Sequence, residues 1–136
     1  MTRRELRDNV FKMLFRIEFH EAEEMPEQLA LFEDELDTLF DGKQGQENRE
    51  YLTNKCNDIF SHITELDEVI NDVSSGWKTS RMSKVDLTII RLAVYEMRYE
   101  EDIPVAVSIN EAVELAKKYG TDDSASFVNG ILAKLA

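Results

Sequence analysis

Three groups of residues in this 136-residue chain have types and spacings that bear on chemistry. Arg3, Arg4 and Arg7 open the chain, with Arg4 and Arg7 one helical turn apart, and offer cations to phosphate. Towards the other end, residues 109–132 read as two helices around a polar turn. Gly120 ends the first helix, and Asp122, Asp123 and Ser124 begin the second. Such a turn gathers backbone N–H groups and polar side chains at a helix N-terminus, where a phosphate can be held. Phe127 follows one turn later. The third group is His20 among Glu18, Glu21, Glu23 and Glu24, with Cys56 apart from it. One imidazole among carboxylates spaced as on a solvated helix face is a poor metal set, so no metal site is expected. Cys56 lies on an apolar helix face and reads as a buried structural thiol. No carboxylate pair stands apart as acid and base, and neither a phosphate-binding glycine loop nor a dinucleotide fingerprint occurs. These residues point to binding rather than catalysis, with no catalytic residue and no cofactor.

Composition bounds what can position them. Hydrophobic residues make up 43% of the chain, enough for one globular domain with a core. Five Gly and two Pro are too few for a loop-rich or all-β design. Apolar runs are short, so no membrane span is expected, and the opening MTRRELRD has no apolar stretch of a secretory signal. With one cysteine and no internal disulfide, a cytoplasmic location is the expectation. The net charge of −12 is unevenly spread. Residues 1–16 carry a local +3, residues 17–50 carry −10 and residues 51–136 carry −5. An acidic body thus has one basic end, which favours a local anionic partner there.

Hydrophobic periodicity predicts about seven helices and no strand, an all-α chain. Thr2 and Glu5 form a capping box ahead of Leu6, Val10, Met13, Leu14 and Ile17. Phe11, Phe15 and Phe19 make a second stripe, for the core or, at Phe15, for a partner. Pro26 opens a helix whose face is Leu29, Phe32, Leu36, Leu39 and Phe40. Asp41 to Gln46, with two glycines, predicts a loop. A helix with Leu52, Cys56, Ile59, Phe60 and Ile63 inward follows, broken near His62 by a fresh cap at Thr64. Leu66, Val69, Ile70 and Val73 face inward on the next helix, and Trp77 is expected to anchor the following connection in the core. Ser83 and Asp86 start a helix apolar on most sides, interrupted by Arg91, Tyr95 and Glu96, a pattern suited to a central position. Ser108 and Glu111 predict the cap of the next helix, and the last begins near Ser124.

Three blocks carry a resemblance. RRELRDNVFKMLF at 3–15, VDLTIIRLAVYEM at 85–97 and IPVAVSINEAVELAKKYGTDDSASFVNGIL from Ile103 are similar in order and spacing to the NusB family of bacterial transcription antitermination factors. INEAVELAK and FVNG are the most specific parts, and residues 20–75 fit by helical pattern. The resemblance implies one domain of two packed helical subdomains, about 1–75 and 76–136. It implies binding of boxA RNA in ribosomal RNA leaders together with NusE, a small-subunit ribosomal protein, within an RNA polymerase antitermination complex. By position, Arg3, Arg4, Arg7, Asp123, Ser124 and Phe127 match the family's RNA surface, while Phe15, Glu18, Asp86 and Arg91 fall where it packs against NusE. Asp122 and Asp123 serve helix capping or accept from a base amino group. A homodimer, a protein-binding adaptor and a partner domain of an RNA cytosine methyltransferase are the alternatives.

Overall fold

A computed structural model describes all 136 residues as seven α-helices joined by short connections, with no strand. The helices are α1 (Arg3–Phe15), α2 (Met25–Glu35), α3 (Gly42–Ser61), α4 (Ile63–Val73), α5 (Lys84–Tyr99), α6 (Val105–Tyr119) and α7 (Ser124–Ala133). The chain divides into two compact units, Met1–Phe60 and Ser61–Ala136. The boundary falls earlier than the expected division near residue 75, so α4 belongs with the C-terminal unit. No helix is long and apolar enough to cross a membrane.

In the N-terminal unit, the Thr2 hydroxyl accepts from the Glu5 N–H at 3.0 Å and the Glu5 carboxylate accepts from the Thr2 N–H at 3.2 Å. This reciprocal cap satisfies two donors that a helix start leaves open. It also holds the Glu5 carboxyl below its ordinary value, chiefly through the Thr2 N–H. Leu6, Val10, Phe11, Met13 and Leu14 are buried on α1. After Phe15 the chain tightens into a 3₁₀ turn, Arg16–Phe19. Arg16 reaches α2 from there, with its guanidinium 4.9 Å from the Phe32 ring centre and 3.2 Å from the Glu35 carboxylate.

Pro26 lies in the first turn of α2, and Leu29 and Phe32 are buried. Leu39, expected inward, is exposed. The helix ends at Glu35 and Asp37–Phe40 follows as a 3₁₀ helix, whose three-residue period moves Leu39 off the buried face. Phe40 stays buried beneath Arg49 of α3, which also pairs with Glu33 and Asp37.

The expected loop over Asp41–Gln46 is instead the start of α3. Its two glycines have other uses than looseness. Gly42 takes the left-handed conformation, φ +77°, at the helix start. Gly45 lies inside the helix, where a Cβ would overlap the Phe40 carbonyl. The break near His62 forms, but His62 itself, not Thr64, precedes the first turn of α4 and makes no side-chain cap.

In the C-terminal unit, α5 packs against α4, α6 and α7, and α6 packs against α7. Ser83 caps α5, accepting from the Asp86 N–H at 3.1 Å. Ten consecutive residues of α5, Leu87 to Glu96, are buried. The cap expected at Ser108 does not form. Pro104 precedes a helix that already begins at Val105, which puts Ser108 inside it, buried and donating to Glu96 Oε1 of α5 at 3.0 Å. The hydroxyl that resembled a cap satisfies a buried carboxylate instead.

Gly45→Ala should destabilise the chain by about 1–3 kcal/mol through overpacking against Phe40. Urea unfolding followed by circular dichroism measures this. An unchanged midpoint would show that the α3 start gives way freely.

Candidate nucleic-acid interface

Arg3 and Arg4 are exposed in the first turn of α1, while Arg7, one turn on, is buried among the core residues of that helix. The three expected cations therefore differ. Arg3 and Arg4 present charge to solvent beside the positive end of the α1 dipole. Arg7 is buried.

The turn between α6 and α7 is more closely knit than its sequence suggests. Ser124 is 2% exposed, and its hydroxyl accepts the Thr121 N–H at 3.0 Å. The Ser124 N–H is itself given to the Thr121 carbonyl at 3.1 Å. Two N–H groups expected to be open for a phosphate are thus used inside the turn. A Cβ on Gly120 would overlap the Ser124 side chain, so glycine is required here for space; its φ is an ordinary −92°. Asp123 stands at the cap position of α7 but makes no side-chain cap bond. Asp122 and Asp123 are exposed carboxylates, and capping is not the role of either side chain seen here. Phe127 is half-buried one turn into α7 and meets Trp77 edge to face at 5.9 Å.

Trp77 itself does not anchor the core. It is 54% exposed. An aromatic beside Phe127 on the surface was missed by the sequence reading, which assigned bulk to the interior. The adjoining Gly76-Trp77-Lys78, a turn glycine followed by an aromatic and a cation, was the signal available.

The four residues expected at a protein interface have distinct settings. Phe15 is half-buried between Phe11, at 6.1 Å and nearly parallel, and Phe19, at 5.3 Å and edge on. Phe19 is 62% exposed, so the aromatic ladder runs from core to solvent. Glu18 is half-buried in the 3₁₀ turn that carries this ladder. Asp86, in the first turn of α5, has one enclosed carboxylate oxygen without a hydrogen-bond partner. Arg91 is 8% exposed, and its Nε and Nη2 donate to the two Asp67 oxygens of α4 at 2.8 Å each. That fork-to-fork geometry makes Arg91 a tie between α4 and α5.

His20 and Cys56, the other residues considered for chemistry, lie in separate settings. His20 lies 3.5 Å from Glu24 in a local pair, and no three or more of His, Cys, Asp and Glu gather as a ligand set. Cys56 is fully buried, and burial pushes its thiol up to about 12.

A family model described as the NusB family matches residues 4–136. A transcription antitermination protein NusB of Agathobacter rectalis is 60% identical over 136 residues, all of both chains. One from Lachnoclostridium phytofermentans is 52% identical over 99% of this chain and 98% of its own. The solved structure of T. maritima NusB superposes with a TM-score of 0.81 at 37% identity, over all of this chain and 91% of that one.

Arg91→Met should cost about 2–3 kcal/mol in urea unfolding, because it strands the Asp67 carboxylate. A variant as stable as the parent would free Arg91 for a purely surface role. Iodoacetamide at pH 8 should leave Cys56 unmodified in the native chain and alkylate it in urea, since the thiolate is the nucleophile. Rapid labelling of the folded chain, read by mass spectrometry, would contradict this burial.

Proposed function

The chain belongs to the NusB family of transcription antitermination factors, and from that premise we propose that it binds boxA RNA of ribosomal RNA leaders jointly with NusE. In this reading it acts in the cytoplasm, as part of the assembly that lets RNA polymerase read through terminators. Its named relatives are antitermination proteins, and it is a non-catalytic factor like them.

The observation that carries the RNA reading is the charge of α1. In a chain of net charge −12, the exposed Arg3 and Arg4 stand in a +3 segment at a helix N-terminus. Phosphate is attracted both by the guanidinium groups and by the helix end. Arg7, buried one turn further on, adds its charge to the same helix end. At the α6–α7 turn, Asp123 repels phosphate but can accept from a base amino group, and Phe127 offers a ring edge. Ser124 contributes through the shape it imposes rather than through a free hydroxyl. An acidic chain gains little from charge alone, so NusE supplies much of the basic surface.

Phe15, Glu18 and Asp86 support the protein contact. Phe15 and Phe19 leave an aromatic step open to solvent, and Asp86 adds a carboxylate in the first turn of α5. Arg91 fixes α5 through its pairing with Asp67 of α4.

Gel shifts of labelled boxA RNA with this protein, with NusE and with both test the proposal. The mixture should bind more tightly than either protein alone. Arg3→Ala with Arg4→Ala should weaken RNA binding and lower the salt slope by about 1.4, from two lost phosphate contacts to a single strand. NusE binding should remain. Unchanged RNA affinity in the double variant would remove α1 from the RNA surface.

A further inference from the structure

The connection between α4 and α5 carries a cluster of chemistry that the reading above does not use. Between Asp72 and Asp86 this acidic chain has Lys78, Arg81 and Lys84 and no carboxylate. All three cations are exposed. A fourth, Lys134, reaches its start, donating to the Val73 carbonyl at 3.1 Å. In their midst is Trp77, largely exposed and set edge to face against Phe127.

This exposure belongs to a built segment. Ser75 and Gly76 take φ +35° and +86°, which turns the chain out of α4. The Trp77 N–H returns to the Ser74 carbonyl at 3.0 Å. Asn71 Oδ1 accepts the Thr79 N–H at 2.8 Å, and Met82 is buried at the far end. The backbone on both sides of Trp77 is therefore tied down while its indole is held out. A chain that needed only core volume would turn so large an apolar side chain inward, because burial of such a ring is favourable.

We propose that Trp77 is a base-stacking platform for single-stranded RNA, with Lys78, Arg81 and Lys84 holding the flanking phosphates. An exposed aromatic interleaved with cations is the arrangement that single strands need: a π-face for an unpaired base and charge along the backbone. Phe127 meets the indole edge to face, and more than half of Trp77 remains exposed for a base to contact. A protein partner would also welcome an exposed tryptophan, but a segment that carries three cations and no carboxylate between Asp72 and Asp86 complements a polyanion better. The inference rests on the RNA reading given above and extends its surface from α7 to the α4–α5 connection.

Trp77 is the only tryptophan of the chain, so its fluorescence reports on this site alone. Single-stranded boxA RNA, titrated into the full chain with NusE present, should quench that emission, with a tryptophan-free NusE as the partner. A duplex of the same sequence should quench it far less. Trp77→Ala should bind the single strand roughly ten-fold more weakly, and Trp77→Phe within about three-fold of the parent. Lys78→Gln with Arg81→Gln should lower the salt slope by about 1.4. Circular dichroism confirms that each variant is folded. A gel shift by the parent with no quenching, and with Trp77→Ala unchanged, would overturn the platform and leave the RNA reading standing. No shift of boxA RNA by the parent, with or without NusE, would overturn both. Equal quenching by duplex would rule out stacking. Quenching by NusE without RNA, with loss of NusE binding in Trp77→Ala, would assign the tryptophan to the protein partner and overturn the proposal.

Discussion

A helix buried on nearly every side must find a partner for each charge it carries, and the C-terminal unit depends on how α5 meets that demand. Arg91 and Glu96 lie five positions apart, about 140° around the helix. They therefore reach different neighbours, Arg91 to Asp67 on α4 and Glu96 to Ser108 on α6. Apolar contact alone would let α4 and α6 slide along α5 at small cost. A forked ion pair and a buried hydroxyl–carboxylate bond permit one register each, since any slip leaves a charge enclosed without a partner. The register of α4 sets the start of the Trp77 connection, and that of α6 sets where the turn into α7 begins.

The N-terminal unit uses a lighter version of the same logic. Its polar ties lie nearer the surface: Arg16 to Glu35 and Gln28, and Arg49 to Glu33 and Asp37. Exposed pairs of this kind contribute little individually. The apolar faces of α1, α2 and α3 hold the unit, and these ties orient the 3₁₀ turns between them. Phe15 ends α1 and Phe19 ends the 3₁₀ turn that follows, where the change of helical period rotates the aromatic stripe from core to solvent.

Much of this was legible in the sequence where one physical signal dominated. Thr2 with Glu5, Pro26 and Ser83 announced helix starts because each side chain has a local task that needs no distant partner. The buried stripe of α5 followed from its period. The misreadings arise where backbone geometry or a contact outside the helical pattern decides the outcome. Ser108 looked like a cap because its partner, Glu96, is on another helix. Gly45 looked like a loop because the obstructing Phe40 carbonyl is invisible to periodicity. Trp77 looked like core because bulk suggests burial, whereas the fixed turn at Ser75 and Gly76 aims it outward. At the candidate interface, Arg3, Arg4, Arg7, Ser124 and Phe127 were proposed from the resemblance by position, and sequence could not say that Ser124 is enclosed or that Arg7 is buried.

The hydroxyl of Ser124, locked onto the Thr121 N–H in the space left by Gly120, has a thermodynamic consequence. A flexible segment must be ordered when a ligand arrives, at about 1–2 kcal/mol per residue of backbone. Here that entropy is already lost when the chain folds. Association at this turn carries little further ordering cost, and the turn cannot reshape itself around a poor match. Selectivity then comes from rigidity: a molecule of the wrong outline meets a surface that does not adapt to it.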